Sequence, residues 1–176
     1  MAVDAAAKPA ASAPPSRIQV GEAILGALKA AGTDCIVSVP DFNFVDLLKQ
    51  VDADPGLQHV PVAREEEGIG VCVGAYLGGL QPAMAMQNAG LLNSCNALTT
   101  TALQFEIPIL MVVWYAGDFG DTAFMRLGEV TEGVLEGLGI RYLVPRSFEE
   151  LAPAISRAKK LADYAKRPVA VLVTRY

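Results

Sequence analysis

A chain of 176 residues with a formal net charge of −5 and 52% hydrophobic residues has room for one domain of ordinary size. The acidic balance and the absence of a basic cluster exclude a nucleic-acid binder. The apolar stretches are interrupted by Gly, Pro or Gln and stay short of the roughly 18 to 20 residues a membrane-spanning helix needs, so the mean hydropathy of +0.35 is read as surface for another subunit.

In chain order, residues 1–16, MAVDAAAKPAASAPPS, lack both the apolar centre of a signal peptide and the arginines of a transit peptide, and are expected to be a flexible tail. Residues 17–176 are expected to fold as one domain. IQVGEAILGALKAAG reads as a helix closed by Gly32, CIVSV as a buried strand, and FVDLLKQV as a helix after Pro40. HVPVA is the next strand, followed by a helix that Glu65, Glu66 and Glu67 open, where the helix dipole favours negative charge. AMAMQ is a third strand and NSCNALTTTALQF a helix with Asn93 as candidate N-cap. IPILMVVWY is the fourth and longest strand, and a loop with Gly117 and Gly120 leads into a helix near GEVTEGVLEGL. RYLV and PVAVLVT are the last strands, separated by the helix SFEELAPAISRAKKLADYA.

Short Val/Ile-rich strands alternating with helices predict a doubly wound α/β fold: a mainly parallel six-stranded sheet with helices on both faces. Ligands of such sheets bind beyond the carboxyl ends of the strands. Three loops lie there: PDFN, REEEG and QNAGLLN. Each has an ordinary reading, in which Asp41 or Asn43 caps a helix, Glu65 to Glu67 decorate a first turn, and Asn88 and Gly90 make a turn. Their convergence on one sheet edge favours a ligand site. No G-x-G-x-x-G follows the first strand and no P-loop is present. A Ser/His/Asp set is not expected, because His59 precedes a strand and has no evident nucleophile partner. The same lone histidine leaves no His-based metal site in this chain, and Cys35, Cys72 and Cys95 lack paired spacing, which fits a reducing, cytoplasmic setting with the thiols as small core residues.

The stretches VPVAREEEGIGVCVGAYLGG and PAMAMQNAGLLNSCNALTTTALQFEIPILMVV resemble the pyrimidine-binding (Pyr) domain of thiamine-diphosphate enzymes, and the resemblance runs from about Ile18 to Tyr176. Sulfopyruvate decarboxylase, whose Pyr domain is a separate alpha subunit, and phosphonopyruvate decarboxylase are the nearest look-alikes; acetolactate synthase and benzoylformate decarboxylase are more distant. The family's glutamate at the start of this helix, followed by one residue and then glycine, matches Glu66 with Gly68 after it. The resemblance implies that Glu66 is catalytic, its carboxyl sharing a proton with the cofactor's pyrimidine N1′ so that the neighbouring 4′-amino group can take the thiazolium C2 proton. Such a role calls for a carboxyl whose pKa is raised by burial. At helical spacing, 66, 69, 70, 73 and 77 form an apolar stripe that would bury Glu66, whereas Glu65 and Glu67 point to either side as structural charges. The resemblance further implies cofactor contacts from Gln87, Asn88, Gly90 and Asn93, and a substrate loop of Pro40, Asp41, Phe42 and Asn43.

The family's Gly-Asp-Gly motif, which holds the diphosphate through Mg²⁺, is absent; AGDFGD at 116–121 is the closest string and does not match in context. The implied protein is therefore the alpha subunit of a split thiamine-diphosphate-dependent 2-oxo acid decarboxylase. It would act on a 3-substituted pyruvate such as sulfopyruvate or phosphonopyruvate, and only with a PP-domain beta subunit that carries Mg²⁺, in an oligomer with at least two copies of each chain. A carboligase subunit on the same cofactor and a non-catalytic regulatory subunit are the alternatives. Three departures bear on the substrate: the look-alikes commonly show Ser near Phe42, Gly at Leu92 and arginine at Tyr115. Without that arginine, Phe42, Trp114, Phe119 and Phe124 are expected to line a more apolar pocket, with Arg126 on the surface. Gly70, Gly74 and Gly78 serve either close packing against another subunit or packing inside the domain.

Overall fold

The computed structural model describes residues 13–176, so most of the expected tail lies outside the described residues. Six strands form one sheet in the order β2-β1-β3-β4-β6-β5, every neighbouring pair parallel: β1 Cys35–Ser38, β2 Gln58–Pro61, β3 Pro82–Gln87, β4 Leu110–Trp114, β5 Arg141–Leu143 and β6 Val169–Val173. Helix α1 Arg17–Ala30 precedes β1, and the connections carry α2 Val45–Ala53, α3 Glu65–Leu77, α4 Asn88–Asn93, α5 Cys95–Ala97, α6 Met125–Gly137 and α7 Phe148–Ala165. The doubly wound parallel sheet is as the alternation of strands and helices predicts.

Because a strand's side chains alternate in direction, the central strands bury both faces. Ala83 and Ala85 of β3 with Leu110 and Val112 of β4 meet α1, α2 and α7, while Met84, Met86, Met111 and Val113 meet α3, α4, the π-helical turn Leu98–Leu103 and α6. The first helix is delimited as its sequence requires. Ser16 and Gln19 form a reciprocal capping box, and Gly32 takes the left-handed φ of 83° that lets the amides of Gly32 and Thr33 close back on Lys29 and Leu28 at 3.0 Å each. The two rims are poorer templates: β2 ends in Pro61, and β5 has three residues beginning with an exposed arginine.

Three expectations are corrected. The chain passes from β3 straight into α4 at Asn88 with Gln87 as N-cap, so Asn93 ends a helical segment and caps none. The longest strand is β3 with six residues; β4 has five, because Ile107 and Ile109 are buried in the approach to the strand and not in it. The apolar stripe of α3 is also only partly buried: Ile69 is inaccessible, but Leu77 is 72% exposed. A Cβ added at Gly70 or Gly74 would meet nothing within 4 Å, which removes internal packing as the reason for those glycines.

Candidate active site

The parallel strands end together, and β1, β2 and β3 deliver the three candidate loops to one rim. At the first, Asp41 is half-buried; its Oδ1 accepts from the Asn43 amide at 2.8 Å and its Oδ2 from Gln87 Nε2 at 3.0 Å. Asp41 thus folds its own loop and ties it to the end of β3. Pro40 is exposed beside it, and Phe42 projects outward at 75% exposure with the Arg17 guanidinium 4.5 Å from its ring centroid.

The three glutamates at the start of α3 have three different surroundings. Glu67 Oε2 accepts from the Ala63 amide at 3.2 Å, satisfying a donor just ahead of the helix. The Glu65 side chain lies flat beneath Gly90, where an added Cβ would stand 2.2 Å from its Cδ. This bare glycine brings α4 down onto the first turn of α3. Glu66 points to the rim. Its Oε2 accepts from Asn93 Nδ2 at 2.8 Å and its Oε1 forms an ion pair with Arg64 Nε at 2.7 Å, with the side chain 34% exposed. One hydrogen bond and one ion pair, on separate oxygens, orient the carboxylate. The expected burial of Glu66 is therefore not met within this chain, since the stripe it heads faces outward beyond Ile69.

Asn88 requires a correction. It is fully buried, and its Nδ2 donates to the Ala116 carbonyl at 2.8 Å and to Thr131 Oγ1 at 2.9 Å, while its Oδ1 accepts from the Ala116 amide at 3.2 Å. Both amide hydrogens are used inside the fold. Asn88 clips the start of α4 to the end of β4, and its side chain keeps no amide hydrogen for another partner.

The aromatic pocket expected from Phe42, Trp114, Phe119 and Phe124 is not assembled. Trp114 packs edge-on against Phe44 at 6.2 Å between centroids, whereas Phe119 is almost wholly exposed. Tyr115 is buried, and its hydroxyl donates to Glu132 Oε1 at 2.8 Å. Burial first, and then that carboxylate, push the Tyr115 hydroxyl well above its ordinary pKa, so it remains a donor. Where the resemblance leads one to expect an arginine, the structure has a neutral group whose hydrogen is already committed. Arg126 lies on the surface, paired with Glu129 at 2.7 Å.

Sequence reasoning missed a fourth cluster. His59 does have a serine and an aspartate: Ser38 Oγ lies 2.8 Å from Nε2, and Asp52 Oδ1 lies 2.6 Å from Nδ1. The parallel register pairing Ile36 with His59 brings Ser38 alongside the imidazole, and only strand adjacency could have revealed it.

Residues 18–117 match the family described as thiamine pyrophosphate enzyme, N-terminal TPP binding domain. The sulfopyruvate decarboxylase subunit alpha of Methanococcus maripaludis is 39% identical to this chain, over 89% of this chain and 95% of its own. That of Methanothermobacter thermautotrophicus is 40% identical, over 89% and 96% respectively. Among solved structures, the thiamine diphosphate-dependent 4-hydroxybenzoylformate decarboxylase of Rhodococcus jostii RHA1 shares the fold with a TM-score of 0.69 at 19% identity; the match covers 88% of this chain and 30% of that longer one.

Proposed function

The chain belongs to the thiamine pyrophosphate enzymes through their N-terminal TPP binding domain, and from that premise we propose that it is the alpha (Pyr) subunit of a sulfopyruvate decarboxylase. Residues 17–176 form its cofactor-binding domain, and a PP-domain beta subunit completes the site with Mg²⁺. The observation that carries this reading is the Glu66 carboxylate, oriented by Asn93 and Arg64 and presented at the rim where the strands end.

The donor set fits the pyrimidine half of the cofactor. Glu66 offers a carboxyl in fixed orientation for ring N1′, and the exposed third of its side chain leaves room for that contact. For the diphosphate, no group of three or more His, Cys, Asp or Glu gathers among the described residues as a cation would require. When bound, the cofactor supplies an electron sink for the pair left as CO2 departs from a 2-oxo acid. Glu66 holds the proton shared with N1′, and Asn93 and Arg64 keep its carboxylate aimed at that atom. Gly90 lets α4 approach closely enough for Asn93 to reach it. Asp41, locked to Gln87, holds the loop Pro40–Asn43 against the 2-oxo acid. No helix among the described residues is long and apolar enough to cross a membrane, and we place the complex in the cytoplasm.

The anionic substituent of the substrate needs positive charge that Tyr115 does not supply. Arg17 over Phe42 and Lys49 in the adjoining cleft bring it to the same loop, each only loosely paired with Asp46 at 3.7 and 3.8 Å. Phe42→Ser removes the ring beneath Arg17. A cation–π contact this exposed contributes on the order of 0.5–1 kcal/mol, so stability should hardly change while the preference across a panel of 2-oxo acids shifts. An unaltered preference would detach this loop from the substrate.

The test of the whole reading is reconstitution with the PP-domain partner, thiamine diphosphate and Mg²⁺. The complex should release CO2 from 3-sulfopyruvate and yield the aldehyde; the chain alone should release none. Turnover by the chain without a second polypeptide would overturn the split site. An acetolactate- or benzoin-type product as the sole outcome would make it a carboligase.

A further inference from the structure

The chain of hydrogen bonds through Asp52, His59 and Ser38 has no task in the reaction so far. A carboxylate can only accept, so the hydrogen between Asp52 and His59 resides on Nδ1; in the neutral ring Nε2 then accepts from the Ser38 hydroxyl. The order of groups is that of a hydrolytic triad, but Ser38 is fully buried. An acyl carbonyl cannot reach an oxygen with no exposure, so access excludes a nucleophile here.

What the three side chains do touch are the two elements that flank one loop, β1 at its start and the far end of α2 beyond it. Ser38 is the last residue of β1, Asp52 lies in the final turn of α2, and residues 39–44 run between these two elements. His59 stands on a third element, β2, and bonds to both. The Ser38 carbonyl also accepts from the Val62 amide at 2.9 Å, where β2 leads on toward Arg64 and Glu66. A cleft of about 470 Å³ bordered by Ser38, Pro40, Asp41, Phe42, Lys49 and His59 lies along this junction. Edge strand β2 has a sheet neighbour on one side only, so a bond from its imidazole to the end of β1 and another to α2 restrain it where the ladder does not.

We propose that Asp52, His59 and Ser38 form the positioning device of the substrate loop, clamping β1 and α2 at a fixed separation so that Asp41 stays on Gln87 and Pro40–Asn43 keep their place at the rim. The proposal rests on the assignment of this loop to the 2-oxo acid. His59 is thereby a positioning residue and touches no reacting atom.

Two substitutions cut the clamp without threatening the core. Asp52→Ala acts at a side chain that is 66% exposed, and Ser38→Ala removes only a hydroxyl. The first measurement is amide hydrogen exchange in the full chain. At Asn43 and Phe44, whose amides bond to Asp41, exchange should quicken about tenfold in each variant as local opening becomes easier. The second is steady-state kinetics of the reconstituted complex, where KM for 3-sulfopyruvate should rise about tenfold with kcat within about twofold, the pattern of lost binding and not of lost chemistry. The double variant should be no worse than the more severe single one, since both break the same chain of bonds. Unchanged protection at Asn43 and Phe44 in both variants would overturn the proposal, as would a fall in kcat with KM unmoved. A wild-type complex that fails to decarboxylate 3-sulfopyruvate would refute the assigned reaction; the hydrogen-exchange arm reads the clamp independently of it.

Discussion

Glu66→Gln slows exchange of the cofactor's C2 proton in the reconstituted complex by about a hundredfold or more, the scale at which a positioned acid–base group contributes. Glutamine keeps the size of the side chain, and its carbonyl still accepts from Asn93. It loses the shared proton and the contact with Arg64, and that second loss is minor because an ion pair this exposed contributes about 1 kcal/mol or less. The other glutamates are the controls. Glu67→Gln weakens the bond to the Ala63 amide and Glu65→Gln alters the group beneath Gly90, at a cost of a few tenths to about 1 kcal/mol through the helix dipole. Neither should move the exchange rate by more than about twofold. Exchange that survives in the Glu66 variant and vanishes in the Glu65 variant would transfer the role to Glu65.

Gly128→Ala destabilises the chain by about 3 kcal/mol or more, as overpacking against rigid backbone does. A Cβ at Gly128 would stand 2.0 Å from the Gly117 carbonyl oxygen and 2.4 Å from its carbon. Retreat is blocked on both sides. Gly117 already occupies a φ of 80°, and its neighbour Ala116 is held through both amide and carbonyl by buried Asn88. Urea denaturation should show a lower midpoint at unchanged slope. Gly74→Ala is the counterpart: with nothing within 4 Å of the new methyl, it gains roughly 0.5–1 kcal/mol of helix propensity. Equal stability of the Gly128 variant and the wild type would mean that α6 is free to slide, contrary to this packing.

The parts of the site legible in the sequence were those encoded locally. The glutamate run announced the start of α3, and helical spacing separated Glu66 from Glu65 and Glu67, which do have the structural surroundings expected of them. The parts that were not legible depend on groups distant in sequence. Asn93 looked like a helix cap because Asn before an apolar run usually is one. No Gly or Pro separates β3 from α4, so the helix begins earlier and frees Asn93 to reach back to Glu66, 27 residues upstream. Asn88 had the features of a turn residue and instead fills a polar gap between α4, β4 and α6. The burial expected of Glu66 followed from treating α3 as enclosed on every side. A stripe packed on the sheet and one left facing outward have the same composition, and only the position of the sheet distinguishes them. His59, Ser38 and Asp52 share no local pattern; the parallel register of β1 and β2 creates their meeting.

The rims of the sheet decide how this chain is able to assemble. A strand that joins an open edge needs a run of free amides and carbonyls to read. The β2 rim ends in a proline with no hydrogen to give, and the β5 rim offers three residues, the first a charged arginine on the outside. Growth by strand addition is therefore stopped at both flanks. Contact with another polypeptide is left to the helical layers, where the methyl-free flank of α3 and the carboxylate at its head lie on the same element. If the proposed partner docks on that element, docking and completion of the catalytic centre become a single event, and a chain without its counterpart is kept from edge-to-edge growth by the same two rims.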